Sequence, residues 1–130
     1  MTDVNPLRPG DAVPHFEVST LEGSVVSYAA IWQHRNLVLV TLPPAGPDSS
    51  YVSELTARGP EFHERKSACV ITRDRVAGLP PPGVLVADRW GKIVHAATES
   101  QVADLPPPEE LLEWLEYLEH RCPECEGEAR

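Results

Sequence analysis

The sequence predicts an α/β domain with a mixed central β-sheet flanked by helices, preceded by a short N-terminal hairpin. Two apolar runs, residues 37–42 and 68–72, have the length of buried strands. Residues 84–87 and 92–96 flank an Asp-x-x-Gly turn and predict two further strands, and residues 109–121 predict an amphipathic helix. This order of elements is typical of an α/β domain: a strand, a helix, a strand, a strand pair and a helix.

The N-terminal half of the chain begins with short strands. Residues 15–19 alternate in polarity as a half-buried strand does, and Gly23 is placed to turn the chain into a second strand at residues 24–27. Residues 28–33 predict a helical turn. The run 37–42 is apolar except for Thr41, which predicts a central strand that is covered on both faces.

Three helices are predicted after the central strand. A helix is expected from Ser49 to about Arg58, and a second helical piece after Gly59-Pro60 extends to Lys66, because proline is tolerated in a first turn. The helix at 109–121 follows prolines, carries two glutamates in its first turn and ends in a basic pair, as the helix dipole favours. Its predicted apolar face consists of Leu111, Leu112, Trp114, Leu115 and Leu118.

Composition sets limits on function. The 130 residues suffice for one domain, which we place at residues 1–121, followed by an acidic tail at 122–130. The net charge of −9 and the lack of a basic stripe argue against a nucleic-acid partner. No apolar run is long enough to span a membrane, and residues 1–6 lack the features of a secretory signal. We therefore expect a cytoplasmic protein that does not bind membranes.

The segment between the central strand and the next helix carries the most informative motif. Residues 45–48 read Ala-Gly-Pro-Asp, which resembles the Cys-Gly-Pro-Cys of the thioredoxin-like superfamily. Residues 80–94 resemble the proline-led strand, turn and strand that faces the active site in that superfamily. The opening of the chain resembles that of peroxiredoxins of the alkyl hydroperoxide reductase type, through Pro9, Gly10, Asp11, Pro14, Phe16, Thr20 and Gly23. The resemblance covers roughly residues 9–120.

The resemblance implies an active site whose cysteines are replaced. Ala45 and Asp48 stand where thioredoxins carry thiols, and in the peroxiredoxin register Tyr51 stands where the peroxidatic cysteine would be. Thiol chemistry needs a thiolate at a helix N-terminus, and none of these three residues supplies sulfur. Asp48 is a preferred helix cap. The residues therefore favour a redox-inactive module rather than an enzyme.

The same resemblance implies a binding face at Gly46, Pro47 and Pro82. Pro82 matches the cis proline of the superfamily, next to which relatives pair with an extended peptide. One interpretation is that this face binds a protein or peptide partner, and a second copy of the chain is among the partners left open. The other is that the proline serves the fold alone.

A second candidate site is Cys122-Pro123-Glu124-Cys125 in the tail. The spacing suits half of a zinc site, which His120 or a second copy of the chain would complete, and it also suits a dithiol. A redox role is disfavoured because the pair follows a helix C-terminus and lies among glutamates, which oppose thiolate formation. Zinc binding, a disulfide clamp between two chains and idle thiols all remain open.

The remaining chemistry-bearing side chains predict structure rather than function. Cys69 lies in an apolar strand and is expected to act as a small core residue. The other histidines show no ligand spacing: His15, His34, His63 and His95. The three tryptophans, Trp32, Trp90 and Trp114, are far apart in the sequence, and packing accounts for them. Three hypotheses result: a redox-inactive binding module, a thiol oxidoreductase using Cys122 and Cys125, and a dimer clamped at the tail.

Overall fold

The computed structural model describes residues 6–45 and 49–120, and this part of the chain forms two β-sheets flanked by helices. The strands are β1 (Glu17–Ser19), β2 (Val25–Ser27), β3 (Asn36–Thr41), β4 (Ser67–Thr72), β5 (Gly83–Ala87) and β6 (Ile93–Thr98). The helices are α1 (Ser49–Ala57), α2 (Gly59–Glu64) and α3 (Pro108–Glu119), with 3₁₀ turns at Tyr28–Ala30 and Val102–Asp104.

The larger sheet has four strands in the order β4-β3-β5-β6. Strand β3 runs parallel to β4 and antiparallel to β5, which confirms the predicted mixed sheet. All six residues of β3 are buried, as expected for a strand that is covered on both faces. The β1–β2 hairpin forms a separate antiparallel pair, and a bridge between Thr20 and Thr72 joins it to the end of β4.

Alternate residues of the central strands face two different apolar layers. Val38 and Val40 point toward the helices, where α3 contributes Leu111, Leu112, Leu115 and Leu118. Leu37 and Leu39 point the other way, toward Phe16, Tyr28 and Ile31 from the N-terminal segment. Residues 37–40 of β3 are therefore all apolar, because each face of the strand completes a core.

The predicted elements agree with the structure to within about two residues, with some differences. β1 begins at Glu17 rather than His15, and α3 ends at Glu119 with His120 as its C-cap. Trp114 lies at the border of the apolar face, where its ring stacks on that of His95. Residues 73–82 form turns without a helix. In the described residues, no helix has the length and apolar character needed to cross a membrane.

The sheet has two ends, which β3 separates by about 20 Å. At the loop end, Thr41 pairs with Gly83 and the chain enters the segment that contains Ala45. At the opposite end, Asn36 is buried and its Nδ2 donates to Glu119 Oε2 over 2.8 Å. The C-terminus of α3 therefore lies at the end of the sheet remote from the loop after β3.

Leu115 tests the packing of α3 on the sheet. Its side chain is fully buried, so Leu115→Ala removes apolar contacts and leaves a cavity; we expect it to lower the free energy of unfolding by about 2–5 kcal/mol. Glu113→Ala, at an exposed position of the same helix, is the control and should change it by less than about 0.5 kcal/mol. Urea denaturation of both variants makes the measurement. Equal effects would contradict the assigned face of α3.

Candidate functional site

Backbone and side-chain hydrogen bonds fix the beginning of the loop after β3. The Leu42 N–H donates to the Thr72 carbonyl over 2.8 Å, and Arg73 Nη1 donates to the Pro43 carbonyl over 2.7 Å. Ala45 follows as an exposed residue. The end of β4 therefore holds the loop where the chain leaves the sheet.

Three of the predicted site residues, Gly46, Pro47 and Asp48, lie outside the described residues. The expected turn at Gly46-Pro47 and the expected capping by Asp48 thus remain predictions. The helix behind them does begin at Ser49, as the sequence indicated.

Tyr51 lies in the first turn of α1, and its side chain points into the protein. The side chain is 8% exposed, and its Oη donates to the Pro106 carbonyl over 2.6 Å. Burial raises the pKa of the phenol above its ordinary value. The hydroxyl stays protonated at neutral pH and attaches the segment before α3 to α1, so it is placed as a structural group rather than as a nucleophile.

A shallow groove lies beside this turn of α1. Its lining comes from α1 and from the 3₁₀ turn that precedes α3: Ser50, Tyr51, Glu54, Val102 and Ala103. Its volume is about 200 Å³. Sites for drug-sized ligands usually measure about 300–1,000 Å³, so this groove is smaller than such a site.

Pro82 lies at the loop end of the sheet, one residue before the Gly83–Thr41 pair. The peptide bond between Pro81 and Pro82 is cis, which confirms the prediction for this bond. Pro82 is buried, and its carbonyl already accepts the Glu99 N–H over 3.1 Å. Residues 80–82 are all proline and offer no N–H, so a peptide that pairs here can only donate to the carbonyls of Pro80 and Pro81.

Close contacts hold this proline run against the sheet. Thr41 Oγ1 donates to the Leu79 carbonyl over 3.1 Å. A Cβ atom on Gly83 would lie 2.8 Å from the Pro80 carbonyl oxygen, so only glycine fits at that position. Packing thus holds the backbone of the proline run in place.

Cys69 is the free cysteine of the described residues, and it lies on the outer strand β4. Burial raises the pKa of its thiol to about 12. A thiol with this pKa is almost entirely protonated at neutral pH and is a poor nucleophile. The prediction that Cys69 is a packing residue agrees with its contact with the core below α1, although its side chain is only partly buried.

Within residues 6–45 and 49–120, no three His, Cys, Asp or Glu side chains lie close enough together to hold a metal ion. The predicted zinc or disulfide pair, Cys122 and Cys125, lies outside the described residues.

His95 stacks on Trp114 and has its Nε2 3.5 Å from Glu110 Oε2. Burial lowers the pKa of His95, although Glu110 acts in the other direction.

Two tryptophans are in contact in the structure, although no spacing in the sequence predicts the contact. Trp32 and Trp90 are 58 residues apart in the sequence, yet Trp32 Nε1 donates to the Trp90 carbonyl over 3.2 Å. Both side chains are exposed. No local pattern signals this contact, because it depends on how the segment before β3 and the β5–β6 turn meet.

Comparison with solved structures identifies the class of fold. The chain is similar to the reduced 2-Cys peroxiredoxin of Plasmodium vivax, with a TM-score of 0.64, 16% sequence identity and coverage of 88% of this chain and 83% of that one. It is also similar to AhpC of Mycobacterium tuberculosis, with a TM-score of 0.66, 11% identity and coverage of 90% and 97%. No family model and no curated protein sequence matches the chain.

The protein thus has a thioredoxin-like α/β fold. Within that class its arrangement is the peroxiredoxin-like one, as the opening of the sequence indicated. At identities of 10–16% the likeness establishes the fold, and the chemistry of the site has to be argued from this chain's own residues.

Two tyrosines offer a matched test of the site. Tyr51→Phe leaves the buried Pro106 carbonyl without its donor, so we expect it to lower the free energy of unfolding by about 1–3 kcal/mol. Tyr28 is the control, because its buried Oη has no hydrogen-bond partner in the described part of the chain. Tyr28→Phe should therefore be neutral or stabilising. Urea denaturation that gives the reverse order would contradict the structural role of Tyr51.

Proposed function

We propose that the protein is a redox-inactive thioredoxin-fold module that binds a polypeptide partner through the loop end of its sheet. The binding face comprises residues 43–48, the groove beside Tyr51, and the proline run at residues 80–82. Under this proposal Ala45, Asp48 and Tyr51 replace the active-site residues of thiol enzymes with the same fold.

The observation that carries the proposal is the environment of Tyr51. A peroxidatic or thioredoxin-type thiol acts from the N-terminal turn of a helix, where free N–H groups stabilise the thiolate. Here the first turn of α1 has a tyrosine whose hydroxyl is buried and bonded to Pro106. Ser49 and Ser50, also in that turn, carry hydroxyls that peroxide does not oxidise reversibly. The described residues of this face therefore supply no redox-active group.

The shape and polarity of the face favour a polypeptide over a small molecule. The groove admits about one side chain, and the proposal assigns the carbonyls of Pro80 and Pro81, at the same end of the sheet, as acceptors for backbone N–H groups of the partner. A peptide in extended conformation supplies both kinds of group, a side chain and a row of N–H donors. We therefore infer that an extended segment of the partner lies along residues 80–82 and inserts one side chain into the groove.

The alternative is a thiol peroxidase or oxidoreductase that uses Cys122 and Cys125. Against it stands the position of the last described residues, since α3 ends at the end of the sheet opposite the loop after β3. Cys122 is three residues beyond Glu119, and three residues span at most about 11 Å. A dithiol there would act as a separate site, without the groove or the N-terminus of α1.

The absence of peroxidase activity is the first test of the proposal. We expect the purified protein with a thiol reductant to consume hydrogen peroxide and to reduce insulin disulfides no faster than the same concentration of an unstructured dithiol peptide. The double variant Cys122→Ser and Cys125→Ser separates the alternatives. Turnover that disappears in this variant would support the tail dithiol, and turnover that persists would contradict the proposal for the loop end.

The second test concerns peptide binding. Peptides selected from a displayed random library on the native protein should lose at least about tenfold in affinity on Ala103→Arg, because the long side chain fills the groove. Ala30→Arg is the matched control, an exposed alanine in the other 3₁₀ turn, and should leave affinity unchanged. Equal affinity for both variants, measured by fluorescence anisotropy, would place the peptide site elsewhere.

A further inference from the structure

A second surface, at the opposite end of the sheet, has features that the proposed function does not use. Trp32 is 41% exposed and Trp90 is 57% exposed. Besides the bond between these two residues, the Gln33 N–H donates to the Arg89 carbonyl over 2.7 Å. We call the surface formed by Trp32 and Trp90 the tryptophan face.

The tryptophan face is held in shape before any partner arrives. Asp88 Oδ1 accepts the N–H groups of Trp90 and Lys92, each over 2.9 Å, and Gly91 turns the chain with a φ of 88°. Two hydrogen bonds join this turn to the segment before β3. Binding to exposed aromatic rings on an ordered backbone has a low entropic cost, and such rings are enriched at interfaces.

Cations border the tryptophan face although the protein is acidic overall. Lys66 Nζ and Arg89 Nη2 lie 3.8 and 3.5 Å from opposite oxygens of Glu119, so one carboxylate is shared by two cations. Arg35, beside the buried Asn36, is exposed at the same end. In a chain with a net charge of −9, this end is suited to an acidic ligand.

The chain itself continues from this place. α3 ends at Glu119, whose side chain contacts Arg89, the neighbour of Trp90. The sequence that follows includes Pro123 and then three glutamates, Glu124, Glu126 and Glu128. Pro123 is four residues beyond Glu119, and this offset spans up to about 14 Å. Because Arg89 Nη2 lies 3.5 Å from Glu119 Oε2, that length extends beyond the Arg89 guanidinium.

We propose that residues 122–128 dock on the tryptophan face of the same molecule. Pro123 packs on the indole rings, as prolines do in aromatic-lined grooves, and the glutamates lie beside Lys66 and Arg89. Docking covers the exposed indoles, so a partner of similar chemistry has to displace the tail to bind there. This surface is independent of the loop end and of any peptide bound there.

The test uses the full chain and the indole N–H signals of its three tryptophans in ¹⁵N NMR. The triple variant Glu124→Gln, Glu126→Gln and Glu128→Gln should shift the signals of Trp32 and Trp90 and leave that of Trp114 in place. About 0.5 M salt should shift the wild-type signals in the same direction, because it screens the ion pairs. Glu113→Gln, an exposed glutamate of α3, is the control and should leave the Trp32 and Trp90 signals unshifted.

A second measurement distinguishes two occupants of the tryptophan face, the tail of the same molecule and the tail of a second copy. Acrylamide quenching of fluorescence should increase in the triple variant and more strongly in Pro123→Gly, at protein concentrations far below those of any self-association. Unchanged Trp32 and Trp90 signals in all of these variants would overturn the proposal. Signals that shift only on raising the protein concentration would also overturn it, because they would assign the face to the tail of a second copy.

Discussion

The burial of β3 on both of its faces is the constraint on which the rest of the structure depends. Val38 and Val40 complete the layer beneath α3, and Leu37 and Leu39 complete the layer beneath the N-terminal segment. The same strand has β4 on one edge and β5 on the other, so it belongs to every part of the core. The loop after β3 and the start of α1 are therefore placed by the most buried element of the fold.

Under the proposed function, that placement allows the loop end to keep its geometry without thiol chemistry. Leu42 and Arg73 hold the beginning of the loop after β3, and the hydroxyl of Tyr51 joins α1 to Pro106; none of these contacts needs a cysteine. Under the proposed function, Tyr51 in the first turn of α1 has a structural role, because its hydroxyl joins α1 to the segment before α3. The face is then left with a small groove and a row of proline carbonyls, which are groups that bind rather than react.

The sequence predicted the elements whose buried residues follow a regular local pattern of apolar side chains. β3 was recognisable because its residues 37–40 are all apolar, and α3 because its leucines recur with the helical period behind a proline and two glutamates. The resemblance of residues 45–48 and 80–94 to thioredoxin-like proteins correctly implied the fold and the cis bond before Pro82.

Long-range contacts could not be predicted in this way. The hydrogen bond from Tyr51 to Pro106 joins residues 55 positions apart, and that between Trp32 and Trp90 joins residues 58 positions apart. Both depend on how whole elements pack, and no spacing in the sequence encodes them. For the same reason the sequence identified Tyr51 only as the residue that stands where a peroxiredoxin would carry its peroxidatic cysteine. The structure shows in addition that the Tyr51 hydroxyl donates to the Pro106 carbonyl.

The central claim is that the residues of the loop end provide no redox-active group. Its most direct measurement is mass spectrometry of the native protein after one equivalent of hydrogen peroxide in the presence of dimedone, which labels sulfenic acid at the cysteine where it forms. The account predicts that Cys69, with its pKa raised to about 12, remains unlabelled, and that Cys122 and Cys125 react no faster than thiols in a short peptide. Rapid, stoichiometric labelling of any of the three cysteines would contradict the proposed redox-inactive function, because the protein would then activate a thiol toward peroxide.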